Sequence, residues 1–152
     1  MDYEKRLTEL FIELPEVTHQ AKYFTPTVQA GKLLFVSGLL PFAEGKLAFK
    51  GRLGLEITLD QGVQASRYAM IQCLSAVRAK LGSLNKIEKI VQITGFVASG
   101  GDFKDHDRVL DGASNLLQEI FGTAGKHSRM AAGVNTLPSG ACVELGMIVE
   151  VK

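Results

Sequence analysis

Among the residues of this sequence that could do chemistry, Arg129 is the hardest to explain by folding alone. In "SRMAAGVNTLP", residues 128–138, it stands among small and apolar residues that alternate as a β-strand does. A guanidinium keeps its charge at any physiological pH and is expensive to bury unpaired, so it needs either solvent or an anionic partner. Alternation places Arg129, Ala131 and Gly133 on one face, and Met130, Ala132 and Val134 on the other, which reads as the core face. In "ACVELGMIVEV" the core set is Val143, Leu145, Met147, Val149 and Val151, which leaves Glu144 opposite. If these strands form a hairpin across Leu137 to Gly140, Arg129 and Glu144 share the non-core face. A simple register sets Glu144 across from Gly133, about four residues or roughly 13 Å from Arg129 along the strand. Contact then requires a bulge or a second copy of the chain. Two roles fit Arg129: a fork for a planar carboxylate in the space beside Ala131 and Gly133, or a structural ion pair.

The elements that must position these residues follow from periodicity. Leu7, Leu10, Phe11 and Leu14 predict a short amphipathic helix over 3–14, ending before Pro15. "TVQAGKLLFVSG" reads as two strands turned at Ala30-Gly31-Lys32, and the consecutive apolar run Leu33 to Val36 predicts a strand covered on both faces. A short strand follows around Gly45. A helix from Asp60 to Leu81 carries Val63, Met70, Leu74, Val77 and Leu81 on one stripe, with Thr58 or Asp60 as cap and Gly82 at its end. "KIVQITGFVAS" is a long strand, and a second helix runs from about Asp105 to Phe121. The order predicts an α+β domain in which two helices cover one face of a mixed sheet. Only the N-terminal helix is left for the other face, whose strands carry few charges, so self-association through that face is expected.

Length and composition narrow the function classes. A chain of 152 residues with 46% hydrophobic and 22% charged residues is ordinary for one globular domain. Its net charge of +1, with no aromatic-basic stripe, argues against nucleic acid as a partner. No apolar stretch approaches the roughly 20 residues of a membrane span. Cys73 and Cys142 read as small buried hydrophobes, and the opening "MDYEKRLTEL" as no targeting signal, so a cytoplasmic location is expected. His19, His106 and His127 form no zinc-binding spacing and are expected at the surface, His127 standing close enough to Arg129 to edge a cleft. No G-x-S-x-G elbow or phosphate loop is present.

From about Thr25 onward the chain resembles the Rid family, the reactive intermediate deaminases also known as YjgF or L-PSP endoribonuclease-like proteins. The resemblance lies in five segments in order: "TVQAGKLLFVSG", "DQGVQASRYAMIQCLSAV", "LGSLNKIEKIVQITGFVAS", "DFKDHDRVLDGASNLLQEIFG" and "SRMAAGVNTLPSGACVELGMIVEV". It implies a chorismate-mutase-like fold over residues 21–152, preceded by a helical extension over 1–20. It further implies a homotrimer whose sheets pack into a central barrel with clefts between subunits. The implied activity is hydrolysis of 2-imino acids and enamines to 2-keto acids and ammonia, with neither metal nor organic cofactor. By the same resemblance Arg129 matches the residue that binds the substrate carboxylate, Glu144 the residue that positions water, and Ser37 and Gly38 a cleft-lining pair. The chain departs from the pattern at Thr27, Leu39, Asp107 and Ala131, where tyrosine, glutamine, asparagine and cysteine are common. Read from the residues alone, Ser37 could equally satisfy its own backbone and Asp107 favour the helix dipole. If Asp107 faces the cleft, it would favour a cationic or amino-bearing substrate. The alternatives to an enzyme of this kind are a trimeric module that binds a small carboxylate and a ribonuclease.

Overall fold

A computed structural model describes residues 1–17 and 21–152; His19 and the domain boundary expected at residue 20 lie outside the described residues. Helix α2, Leu59–Leu81, starts and stops where local chemistry dictates. The Thr58 hydroxyl accepts from the Gln61 N–H at 3.2 Å while the Gln61 side chain accepts from the Thr58 N–H at 3.0 Å, and Gly82, at φ +86°, closes the other end. Helix α3, His106–Phe121, lies beside it. Both pack on one face of a five-stranded sheet made of β1 (Thr27–Ala30), β2 (Leu33–Leu39), β5 (Ile87–Ala98), β6 (Ser128–Val134) and β7 (Val143–Val151). Its spatial order is β1-β2-β7-β5-β6, and a small hairpin of β3 (Phe42–Ala43) and β4 (Lys46–Leu47) stands apart.

Every neighbouring pair in the large sheet is antiparallel except β5 and β6. The hairpin expected between the last two strands therefore does not exist. The chain leaves β5, crosses through α3 and returns as β6 parallel to it, and β7 enters on the other side of β5. A parallel pair needs a crossover of about a dozen residues, which α3 supplies. Close contact makes the crossover tight. A β-carbon built at Gly95 of β5 would lie 2.5 Å from both Leu110 methyls of α3, so glycine lets the helix sit directly on the sheet.

The other sheet face is bare. Leu34 and Val36 of β2 are buried beneath the helices, but Leu33 and Phe35 are 37% and 41% exposed, so this strand is covered on one face only. Val28, Phe96 and Met130 extend the same apolar surface, as the strand registers require.

The N-terminal helix does not shield that surface. Helix α1 spans only Tyr3–Glu9 and packs at the far end of α3, where the Tyr3 ring meets Phe121 edge-on at 4.6 Å. It stops short of the expected residue 14 because Phe11 turns left-handed at φ +56°. The Phe11 and Ile12 N–H groups then bond back to the Thr8 and Leu7 carbonyls. Leu14 still reaches the core, which is why the helical periodicity outruns the helix. Glu4 anchors α1 by accepting from the Leu84 N–H at 2.7 Å and pairing with Arg78 at 3.3 Å, and Arg6 donates to the Glu119 carbonyl at 2.9 Å. Leu7 is buried in the main core. Leu7→Ala is expected to lower stability by about 2–5 kcal/mol, seen as a lower urea midpoint. An unchanged midpoint would show α1 to be outside the cooperative unit.

Candidate functional site

The register of β6 against β5 decides where Arg129 points. Arg129, Ala131 and Gly133 stand beside Ile93, Gly95 and Val97, all buried under the helices, so these three face α3. Met130 lies on the bare face and is 60% exposed. This reverses the face assignment expected from the pattern. Met130, Ala132 and Val134 are the more apolar set, but they belong to the uncovered surface. Nor does the smallness of Ala131 and Gly133 leave room for a ligand, since it admits the helix. A β-carbon at Gly133 would lie 2.5 Å from His106 Nε2 and 3.0 Å from Ser99 Oγ, which are themselves hydrogen-bonded at 3.0 Å. Ala131 packs against the core.

The Arg129 side chain runs along the flank of α3 into a polar network. Its Nη1 donates to Asp111 Oδ1 at 2.8 Å and to Ser114 Oγ at 3.0 Å, and its Nη2 lies 3.6 Å from Asp107 Oδ1. His127 Nδ1 stands 2.6 Å from the Gly125 carbonyl, which can only accept, so Nδ1 carries the proton. Nε2 then accepts from the Ser114 hydroxyl at 2.9 Å. His127, expected to edge a cleft beside Arg129, joins the network through Ser114; Asp111 and Ser114 had no place in the sequence-based site, although Asp107, Asp111 and Ser114 recur at three- and four-residue spacing on one helix flank.

Glu144 belongs to the opposite face. It stands beside Phe96 across β7 and β5, and its side chain folds over a bulge in β2 between Val36 and Leu39. A β-carbon at Gly38 would lie 3.1 Å from Glu144 Cγ, Cδ and Oε1, so glycine makes the space that this carboxylate occupies. Glu144 has no hydrogen-bond or ion-pair partner among the described residues, and burial pushes its pKa above the ordinary carboxylate value. Ser37 is adjacent but donates to the Thr25 carbonyl at 2.7 Å. Thr27 pairs with Val36 at the far edge, on the helix-covered side.

A single copy thus brings together two half-sites. Arg129 and Asp107, with Ala131 on the same strand face, gather under and beside α3; Glu144 and Gly38, with Ser37 next in the chain, gather on the bare face. The sheet separates them. Two shallow surface concavities lie elsewhere, one bounded by Phe42, Lys46 and Lys50 and the other by Asp2, Lys5 and Arg6. Among the described residues no group of three or more His, Cys, Asp or Glu could hold a metal ion, and no helix is long and apolar enough to cross a membrane. Burial raises the Cys73 thiol to about 12 and that of Cys142 to about 11, so neither is a ready nucleophile.

Residues 4–150 match the family described as "YjgF/chorismate_mutase-like, putative endoribonuclease". The chain belongs to this YjgF family. Protein TCP17 of Trypanosoma cruzi is 36% identical over 147 residues, 96% of this chain and 92% of its own length. Among solved structures, Atu1372 of Agrobacterium tumefaciens superposes with a TM-score of 0.90 at 37% identity, covering 98% of this chain and 91% of that one. A Shewanella oneidensis protein superposes at 0.95 with 33% identity over 99% of this chain and all of its own. Such likeness extends the YjgF fold across the whole described chain, α1 included.

Proposed function

We propose that this protein hydrolyses small 2-imino acids, and the enamines that tautomerise to them, to 2-keto acids and ammonia in a cleft between two subunits of a homotrimer. The observation that carries this reading is Glu144, a half-buried carboxylate with a raised pKa, no partner among the described residues and a glycine making room for it. Such a group is a general base in waiting. Water adds to the imine carbon while one of its protons passes to Glu144. Glu144 returns that proton to the carbinolamine nitrogen, the C–N bond breaks as ammonia leaves, and the hydroxyl proton passes through Glu144 to solvent as the carbonyl forms, so that iminium and water become keto acid, ammonia and one proton. An iminium carbon is already electrophilic, so the step needs positioning and one base rather than a metal or organic cofactor. Arg129 takes the substrate carboxylate.

Two features support a shared cleft. Arg129 and Glu144 lie on opposite faces of one sheet, so they can meet only between copies, and the bare apolar face would be covered by a second copy. On this reading Ser37, Gly38 and Glu144 of one copy line the cleft opposite Asp107 and Arg129 of the next, while Thr27 and Ala131 face the helices and stand outside it. The rival reading, a module that binds a small carboxylate, draws on Arg129 being already held by Asp111. It gives Glu144, half-buried and without a partner among the described residues, no chemical task.

The test supplies imino acids from an amino-acid oxidase and follows keto-acid release. Glu144→Gln is expected to lower the rate by about a hundredfold or more. Glu144 acts ionised, so the wild-type rate falls as pH drops through its pKa. Because burial raises that pKa, the acid limb lies above the ordinary glutamate value of about 4.3 and is missing in the variant. A variant with the full wild-type rate would remove Glu144 from the mechanism.

A further inference from the structure

Arg129 is not an empty fork. Its Nη1 holds Asp111 at 2.8 Å, its Nη2 lies 3.6 Å from Asp107, and the guanidinium side chain is only 23% exposed against 64% and 82% for the two aspartates. One cation is therefore flanked by two acids, and Arg108, on the same helix turn, leans 3.8 Å from Asp105 instead. A second copy would add Glu144, a further acid. A simple monocarboxylate that takes this fork either displaces Asp111 or crowds onto the remaining Nη2 and Nε donors, and in both cases more acids than bases surround one guanidinium. A ligand that carries both a carboxylate and a cation avoids this. Its carboxylate takes the guanidinium, its cation takes the released aspartates, and charges alternate along the site.

Resting on the hydrolytic reading above, we propose that the substrates are 2-imino acids with a basic side chain, such as those formed by oxidation of lysine, ornithine or arginine. Asp107 and Asp111 are the specificity-determining residues. They select by charge twice: they bind the side-chain ammonium or guanidinium, and they repel substrates that bring only negative charge. Their exposure suits this role, since an exposed ion pair exchanges readily for another. The reaction that supplies such a substrate is an amine-to-imine oxidation of a basic amino acid.

The test compares kcat/KM for imino acids generated from arginine and lysine with those from leucine and glutamate. Wild type is expected to favour the basic substrates by at least about tenfold over leucine's, with glutamate's poorest. In the Asp107→Asn/Asp111→Asn double variant, a near-isosteric change at exposed positions, the basic-to-neutral ratio falls to about one. Equal rates on basic and neutral substrates in wild type, or a ratio unchanged in the double variant, would overturn the assignment while leaving imine hydrolysis standing. If no imine is hydrolysed, the hydrolytic reading fails and binding decides the inference. The keto acid of arginine should then raise the Tm of wild type more than 2-ketobutyrate does, and the double variant should lose the difference. Equal shifts in wild type would overturn the inference as well.

Discussion

Arg129→Ala and Glu144→Gln chains, each reduced in keto-acid release by about a hundredfold or more, are expected to regain activity when unfolded together in equal amounts and co-refolded. The reason is the sheet between the two residues. Arg129 stands beside Ile93 under α3, and Glu144 stands beside Phe96 on the bare face, so no rotamer of either side chain brings them to one substrate. In a closed ring of subunits each chain gives its arginine to one cleft and its glutamate to another. A cleft works when the chain supplying arginine carries the glutamate lesion and its neighbour carries the arginine lesion. Random mixing of closed rings makes about one cleft in four intact, so about a quarter of wild-type activity should return. Mixing the folded variants without unfolding should return less, because subunits must exchange first. Mixed assemblies that form, by native mass spectrometry, yet stay inactive would place both residues within one chain's site or remove one of them from it.

What could be read from the sequence, and what could not, divides along physical lines. The limits of α2 were legible because they are local: Thr58 and Gln61 complete a capping box and Gly82 supplies the left-handed turn. The pairing of β6 was not, because it depends on where α3 carries the chain. Yet a strand, a long helix and another strand in that order are a parallel crossover unit, and the short Leu-Pro turn before β7 masked it as a hairpin. The face of Arg129 failed for a second reason. Hydrophobic alternation finds the core only when the other face meets water, and here Met130, Phe96, Phe35 and Val28 make the uncovered face apolar too. Glu144 was placed correctly because every alternate residue of β7 from Val143 to Val151 is buried. The Asp111 and Ser114 partners of Arg129 lay on a visible helix flank, but only the parallel register sets that flank against the strand.

The same helix carries a large expected effect on stability at a position where helix propensity alone predicts the opposite sign. Glycine in a helix interior is usually the weak choice, and replacing it with alanine at an exposed site stabilises by about 1 kcal/mol. At Gly112 the sign reverses. A β-carbon there would overlap the Val63 carbonyl of α2 and lie 2.6 Å from Ser66 Oγ, so the two helices touch backbone to backbone. Ser66, fully buried, ties them: its hydroxyl donates to the Val109 carbonyl at 2.6 Å and accepts from the Ala113 N–H at 3.1 Å. A methyl group forces α3 away from α2, which adds an overpacking cost of about 1–3 kcal/mol and, if the Ser66 bonds break, about 1–3 kcal/mol more. After the gain in helix propensity, and with the Ser66 bonds broken, Gly112→Ala should destabilise by about 1–5 kcal/mol, lowering Tm by roughly 2–20 °C in calorimetry. Because α3 also carries Asp107, Asp111 and Ser114, the shift loosens their hold on Arg129 and should raise KM before it lowers kcat. Ser66→Ala separates the two contributions, since it removes the hydroxyl and leaves the glycine contact intact. A Tm that rises in Gly112→Ala would mean that propensity outweighs contact, and that the helices have room to part.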